Sequence, residues 1–200
     1  MVEVERAPVG TGSGDRAPQA PASFAELLRL VREDHRINSE GLWTPGFYAV
    51  ATQRVGAYAA SPGCPRPLRA VLRPAAELAS IVVRNLFGIQ LPPTVRLGRR
   101  VRIAHQHGIV IHPHATLGDD CVVRQGVTLG AGSDETEAFL RQAPVVGARV
   151  SLGAGCVVVG AVRIGDDAKI GPNAVVMTHV PAGATVIAQP PRVIRPRASS

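Results

Sequence analysis

The sequence predicts a mainly β fold, a β-helix of hexapeptide repeats, with a small α-helical domain before it. The prediction rests on a six-residue period of aliphatic side chains, on small residues at fixed offsets from them, and on the scarcity of aromatic residues. A period of six fits neither an α-helix nor a flat strand. The aliphatic positions are Leu97, Ile103, Ile109, Ile111, Leu117, Val123, Leu129, Val146, Leu152, Val158, Ile164, Ile170 and Val176.

The residues around each aliphatic position suit a chain that turns sharply. A small residue or valine usually stands four places later, and a glycine often follows directly, where the backbone needs conformational freedom. Only 4% of the 200 residues are aromatic whereas 46% are hydrophobic, so burial depends on Val, Ile, Leu and Ala. Such side chains suit a narrow solenoid with little interior room.

Composition predicts the order of the domains. Residues 1–22 are rich in Pro, Gly, Ala and Ser, so we expect a disordered tail with too few apolar side chains to offset the entropy of ordering. Residues 23–90 are predicted to form the α-helical domain and residues 91–193 the β-helix, with a loop over 130–145. Residues 194–200 are predicted to be a C-terminal tail.

Three helices are predicted within the first domain. Ser23 and Glu26 form a capping box at the start of the first helix. Apolar residues at helical spacing indicate a second helix after Pro45 and a third from Leu68 to about Phe87.

The six-residue period is interrupted twice. Seventeen residues separate Leu129 from Val146, which predicts a loop that leaves the coil, and a polar loop on a rigid solenoid is a common place for functional groups. Two further residues are inserted at Ile109 and Val110. After Pro181 the period decays, and we expect the Pro- and Arg-rich segment there to pack against the last turn of the coil.

Charge and cysteine content restrict the environment and the partners. The net charge is +7, but the arginines are dispersed without an aromatic stacking platform, which favours a solvated basic face or a phosphorylated cosubstrate over nucleic acid. Cys64, Cys121 and Cys156 lack C-x-x-C spacing, so we expect buried free thiols in a reducing compartment. Without a signal-peptide run or a membrane span, we expect a cytoplasmic protein that does not contact membranes.

Four histidines surround the two-residue insertion: His105, His107, His112 and His114. Neutral imidazoles are common zinc ligands. However, successive strand residues point alternately in and out, and no carboxylate or thiolate joins the cluster at ligand spacing. We therefore predict no metal site, and for His112 and His114 an exposed position in a turn remains an alternative.

Two long runs of the sequence, and the loop between them, are specific to a known family. The run IAHQHGIVIHPHATLGDDCVVRQGVTLG, the loop ending in AP, and the run VVGARVSLGAGCVVVGAVRIGDDAKIGPNAVV resemble the catalytic domain of serine acetyltransferases. The resemblance extends more loosely to TPGFYAVATQRVGAYA. It implies left-handed β-helices assembled as a trimer or a dimer of trimers, with acetyl-CoA as cosubstrate in the groove between neighbouring coils. It also implies a small-molecule acceptor and a sulfhydrylase partner that binds through the C-terminus.

The resemblance implies that His105, which is followed by x-x-G-I-V, is the general base. An imidazole can take the hydroxyl proton as oxygen attacks the thioester and then return it to the departing sulfur. Gln90 lies fifteen positions earlier, where the family has a carboxylate that orients the imidazole, and its carbonyl oxygen is expected to accept a hydrogen bond from the ring. No G-x-S-x-G motif indicates an acyl-enzyme.

The resemblance implies that several small residues and one lysine bind acetyl-CoA. Backbone groups beside small side chains can bind the amide-bearing pantetheine arm, and Lys169 or the tail arginines can meet phosphate. The alternative, that the small residues serve only the tight corners of the coil, stays open. The residues that match the family motif are Gly130, Ala131, Ala154, Lys169, Pro172 and Asn173.

The sequence departs from the family pattern at positions that bind the acetyl acceptor in that family. Ala104 occupies the position before the histidine, where the family has an acidic residue that recognises the substrate ammonium. Gln142 and Ala143 replace an Arg-His pair before the proline of the loop. Asp34 is a candidate for replacement charge and Arg141 for a contact with a carboxylate. Further candidates for replacement charge are Glu33, Asp134, Glu135 and Glu137.

Three functions therefore remain. The first is acetyl transfer to L-serine, giving O-acetylserine for cysteine biosynthesis. The second is acetyl transfer to another alcohol, such as a sugar or a biosynthetic intermediate. The third is a trimeric scaffold without catalysis, against which His105 argues, because a scaffold does not need that imidazole beside the inserted GIV.

Overall fold

The computed structural model describes residues 18–38, 44–132, 136 and 142–190. Most of the predicted N-terminal tail, half of the predicted loop and all of residues 194–200 lie outside these ranges.

Three helices come first in the described part of the chain: α1 (Phe24–Asn38), α2 (Pro45–Ala60) and α3 (Arg66–Phe87). The Ser23 hydroxyl accepts a hydrogen bond from the Glu26 amide at 3.2 Å, as a capping box requires. The Glu26 carboxylate accepts from the amide of Ala22 at 2.8 Å, so the box closes one residue earlier than its usual form. All three helices confirm the helical spacing of the sequence.

Fourteen short strands follow in the described residues, and every pairing between them is parallel. They are β1 (Ile89–Gln90), β2 (Arg96–Leu97), β3 (Arg102–Ile103), β4 (Ile109–Ile111), β5 (Thr116–Leu117), β6 (Val122–Val123), β7 (Thr128–Gly130), β8 (Val145–Val146), β9 (Ser151–Leu152), β10 (Val157–Val159), β11 (Arg163–Ile164), β12 (Lys169–Ile170), β13 (Val175–Val176) and β14 (Thr185–Val186).

Each of the first four turns of the coil contributes one strand to each of three sheets, and the last described turn contributes only β13 and β14. Face A has the order β1-β4-β7-β10-β13, face B has β2-β5-β8-β11, and face C has β3-β6-β9-β12-β14. This arrangement confirms the predicted left-handed parallel β-helix. The coil begins at Ile89, slightly before the expected boundary, and β14 still pairs with β12, so the expected decay after Pro181 is wrong for residues up to Val186.

The aliphatic period points into the coil. All thirteen residues of the predicted period are buried, and Leu129, Leu152 and Val158 are fully inaccessible. The three cysteines are free and buried, as predicted. Burial raises the pKa of the Cys121 thiol to about 12 and that of Cys156 to about 11, which keeps both thiols protonated and unreactive.

The first turn of the coil has a free upper edge, because no earlier strand covers β2 and β3. Buried side chains of α1 and α2 supply the missing hydrogen bonds. Gln53 Nε2 donates to the Val95 carbonyl at 2.9 Å. Asn38 donates to the Val101 carbonyl at 3.0 Å and accepts from the Ile103 amide at 2.9 Å. The helices therefore act as the polar cap that a solenoid needs at its end.

Arg54 completes this cap at face B. Its guanidinium donates to the carbonyls of Leu97, at 2.6 Å, and Gly98. Asp34 balances the charge, with 2.9 Å between Arg54 Nε and Asp34 Oδ2, and the two side chains are 3% and 0% exposed. Burial raises the pKa of the Asp34 carboxyl, and the adjacent guanidinium opposes that effect.

A ladder of opposite charges runs along the corner between faces B and C. Arg100, Asp120, Arg149 and Asp167 occupy equivalent positions there with φ values of 54°, 59°, 57° and 62°. Arg100 Nε lies 2.6 Å from Asp120 Oδ1, and Arg149 Nε lies 2.7 Å from Asp167 Oδ1. Ion pairs between successive turns thus hold residues whose backbone conformation is unfavourable for most side chains.

We expect Arg54→Met to lower the free energy of unfolding by about 3–5 kcal/mol, because it leaves a buried carboxylate unpaired and removes two carbonyl partners. Urea unfolding followed by circular dichroism measures the change. Arg73→Met is the matched control, since its ion pair with Glu77 is 72% and 65% exposed and should change stability by no more than about 1 kcal/mol. Equal effects of the two substitutions would contradict the capping role.

The charge ladder predicts acid sensitivity. The hydrogen bond from Arg100 lowers the pKa of Asp120, so the unfolded chain binds more protons in acid and the contribution of this carboxylate is lost as pH falls below about 4. We expect the melting temperature of Asp120→Asn to fall less steeply than that of the wild type between pH 5 and pH 3, whereas Glu77→Gln should follow the wild type. Parallel curves for wild type and Asp120→Asn would refute the prediction.

Candidate active site

His105 lies just beyond β3, where the chain passes from face C to face A. Its side chain is exposed and forms no hydrogen bond with the described residues. The turn that follows is stacked between two neighbours, because the His107 amide donates to the Phe87 carbonyl and the Gly126 amide donates to the His107 carbonyl, both at 3.0 Å. The backbone around the imidazole is therefore held by the coil while the ring is left accessible.

The same corner continues through the next turns of the coil. The Gly155 amide donates to the Gln125 carbonyl and the Asn173 amide to the Ala154 carbonyl, each at 2.9 Å. His107 has a φ of 72° and Asn173 one of 56°, in the left-handed region. We call this the histidine corner; it comprises residues 105–108, 125–126, 153–155 and 171–173.

Small residues line the histidine corner because the turns approach one another closely. A Cβ atom on Gly153 would lie 2.6 Å from the Ile170 carbonyl oxygen, and one on Gly126 would lie 3.2 Å from the Gly155 Cα. Packing alone therefore requires these glycines. The turns therefore meet backbone to backbone at Gly126, whereas the Asn173 side chain lies against Gly155.

The structure divides the predicted acetyl-CoA residues among three places. Ala154, Pro172 and Asn173 lie on the histidine corner, below His105. Gly130 and Ala131 lie at the opposite end of face A, where the Gly160 amide donates to the Gly130 carbonyl at 2.9 Å. A third place, exposed on face C in β12, holds the side chain of Lys169.

Gln90 lies on β1 opposite Val110 of β4, with its side chain exposed. It makes no hydrogen bond to His105 in the described part of the chain. The expected orienting contact is thus not formed in this structure, and its role stays a prediction. Arg141 and the acidic candidates Asp134, Glu135 and Glu137 lie outside the described residues.

The prediction that Asp34 binds substrate is wrong. Its side chain is fully buried beside Arg54, and no substrate can reach it. Its neighbour Glu33 is also engaged, with 2.8 Å between its Oε1 and Arg99 Nη2, and the Arg99 hydrogen bond lowers the pKa of this carboxyl. The sequence alone could not show that these helix carboxylates form ion pairs rather than bind substrate, because their arginine partners lie on another helix and on the coil.

His112 and His114 lie at the other end of face A from His105. The His112 amide donates to the Leu129 carbonyl at 2.8 Å, and the two imidazole rings are 5.6 Å apart. Burial, and to a lesser extent the charge of His114, lowers the pKa of His112. Across the described ranges, no group of three or more His, Cys, Asp or Glu side chains is placed to hold a metal ion. The same ranges contain no helix long and apolar enough to cross a membrane.

Arg124 is a residue that the sequence analysis missed. It follows β6 and lies on face C, partly buried, in the turn directly below Ala104. Its Nη1 donates to Ser151 Oγ at 2.9 Å. The six-residue period contained the signal, because Arg124 follows an inward aliphatic residue as Ala104 does.

Comparison with known proteins places the chain in a family. A family model described as bacterial transferase hexapeptide (six repeats) matches residues 143–177. A serine acetyltransferase of Mycobacterium tuberculosis is 40% identical over 150 residues, which cover 75% of this chain and 61% of the relative. One from Helicobacter pylori is 39% identical over 119 residues, or 60% of this chain and 68% of the relative.

Solved structures of serine acetyltransferases are also similar to this chain. Serine acetyltransferase isoform 3 of Entamoeba histolytica, in complex with cysteine, is 26% identical with a TM-score of 0.68. The match covers 87% of this chain and 63% of the Entamoeba histolytica chain. Soybean serine acetyltransferase complexed with serine is 26% identical with a TM-score of 0.68, covering 84% and 69%. The chain spans 61% of the Mycobacterium tuberculosis relative and 68% of the Helicobacter pylori one. With this fold, this corner and these relatives, the chain belongs to the serine acetyltransferase family.

Proposed function

We propose that the protein is a serine O-acetyltransferase that uses acetyl-CoA and supplies O-acetylserine for cysteine biosynthesis. The observation that carries the proposal is the accessible imidazole of His105 at the head of a corner lined by small residues. The named relatives support it, as do the soybean structure complexed with serine and the Entamoeba histolytica structure in complex with cysteine. Three buried free cysteines suit the reducing cytoplasm.

The reaction follows from the chemistry of the imidazole. His105 takes the proton of the acceptor hydroxyl while that oxygen forms a bond to the carbonyl carbon of the thioester. The carbon–sulfur bond then breaks, and the proton passes from the imidazolium to the thiolate, so that the products are an acetyl ester and free CoA. Because His105 has no hydrogen-bond partner among the described residues, no contact there fixes which ring nitrogen carries the proton, and the unprotonated nitrogen can face the acceptor hydroxyl.

The small side chains of the histidine corner suit the pantetheine arm, whose amides need hydrogen-bond partners. Ala154 and Asn173 border that path, and Lys169 supplies a cation for phosphate on the adjoining face. Gly130 and Ala131 lie on another corner of the same chain. We therefore propose that a neighbouring subunit of a homotrimer completes the site.

Face A supports such an assembly. Val110, Val175 and Met177 point outward from it and are 41%, 65% and 70% exposed. Apolar residues clustered on one face commonly mark an interface between chains. Binding of a sulfhydrylase through the C-terminus stays a prediction, because residues 191–200 lie outside the described ranges.

We expect His105→Ala to lower kcat by about 10²–10⁴-fold, the usual contribution of a general base. Release of CoA thiol from acetyl-CoA in the presence of L-serine measures the rate. His114→Ala, an exposed histidine on another corner, should keep the wild-type rate, and circular dichroism checks that both variants fold. Undiminished thiol release by His105→Ala would remove His105 from the mechanism.

We expect Ala154→Leu to raise the KM for acetyl-CoA by at least about tenfold, equivalent to about 1.4 kcal/mol of lost binding, because its side chain would project over the corner backbone. Steady-state kinetics with saturating acceptor measures this change. Ala182→Leu, an exposed alanine at the corner between faces B and C, is the matched control and should leave KM unchanged. An unaltered KM in Ala154→Leu would place the acetyl-CoA path elsewhere.

A further inference from the structure

Arg124 belongs to a column of outward-facing residues on face C, one from each turn of the coil, next to the turn that carries His105. The Ala104 amide donates to the Val123 carbonyl at 2.9 Å, so Ala104 lies over Arg124 at the usual strand separation of about 4.8 Å. Pairing of β6 with β9 and of β9 with β12 places Gly153 and then Gly171 below it. Between Ala104 and Gly171, Arg124 is the sole side chain of the column that extends beyond a methyl group.

The guanidinium has capacity for a further partner. It carries five N–H donors, and the one hydrogen bond that it makes in the described residues goes to the neutral hydroxyl of Ser151. No described carboxylate lies within ion-pair distance of it. A partly buried arginine in a trough of small residues, beside an accessible imidazole, is suited to bind an anion.

Carboxylates in the described ranges are all engaged away from the histidine corner. Four belong to the helices or their caps, and four to the corner between faces B and C, and each has a hydrogen-bond or ion-pair partner there. An ammonium group beside His105 therefore meets no described carboxylate. The eight residues are Glu26, Glu33, Asp34, Glu77, Asp119, Asp120, Asp166 and Asp167.

We propose that Arg124 binds the carboxylate of the acceptor, and that the enzyme accepts small hydroxy acids whether or not they carry an amino group. This inference rests on the proposed acetyl transfer by His105. The planar fork of arginine matches a carboxylate with two parallel hydrogen bonds. An ammonium group gains no ion pair from the described residues that offsets its loss of hydration. The acceptor class is thus selected by its anion.

Four acceptors separate the two charges: L-serine carries both, glycerate only the carboxylate, serinol only the ammonium, and glycerol neither. We expect the kcat/KM for glycerate to lie within about tenfold of that for serine, and serinol and glycerol to be at least about tenfold poorer, the loss of one charged hydrogen bond. A wild-type enzyme that acetylates serine and serinol but not glycerate would overturn the proposal.

Arg124→Gln tests the residue itself. We expect the KM for serine and glycerate to rise by about 10–100-fold, with less than a twofold change in the KM for acetyl-CoA, and a partial recovery in Arg124→Lys. Arg163→Gln, an exposed arginine on face B, is the matched control and should behave as wild type. A rise in KM for acetyl-CoA alone, or an equal loss with glycerol, would overturn the assignment.

Binding measured without turnover separates this inference from the proposed function. Calorimetric titration with glycerate should detect binding to the wild type and at least about tenfold weaker binding to Arg124→Gln. If the wild type binds glycerate through Arg124 but releases no CoA thiol with any acceptor, the anion site stands and the proposed activity fails. If the wild type releases thiol with serine and Arg124→Gln binds glycerate equally well, the activity stands and the anion site fails.

Discussion

The structure depends on how the free upper edge of the first coil turn is satisfied. In a β-helix each turn exchanges hydrogen bonds with the turn before it and the turn after it, so the first turn is left with carbonyl and N–H groups that have no strand above them. Here Asn38, Gln53 and Arg54 supply the missing hydrogen bonds, and Asp34 balances the charge of the buried Arg54. Because Asn38 binds the backbone on both sides of Arg102, the cap also holds β3, the strand that ends two residues before His105.

Two corners of the coil use the same left-handed backbone for different purposes. Between faces B and C, Arg100 and Asp120 pair across successive turns and stabilise the stack. On the histidine corner, Gly126 and Gly155 occupy the equivalent positions and carry no side chain that could pair across the turns. The solenoid thus separates a corner that holds the turns together from one that a substrate can reach, although the local conformation is shared.

The distribution of charge follows this division. The described carboxylates neutralise arginines on the helices and on the corner between faces B and C, where they support the framework. Face C beside His105 carries Arg124, and Lys169 lies two turns below it. An acceptor that approaches His105 therefore meets positive charge from the described residues, and the chemistry of recognition is that of an anion.

The sequence by itself determined the coil and its inward side chains, because strand period and side-chain alternation are local properties that a six-residue count records. It also located the three helices, whose apolar spacing and caps are local as well. Only the tertiary structure decided that Asp34 is buried by Arg54, that Gln90 does not contact His105, and that Arg124 lies beneath Ala104. These facts depend on which turns and helices stack together, and residues fifteen or more positions apart meet, or fail to meet, only when the chain has folded.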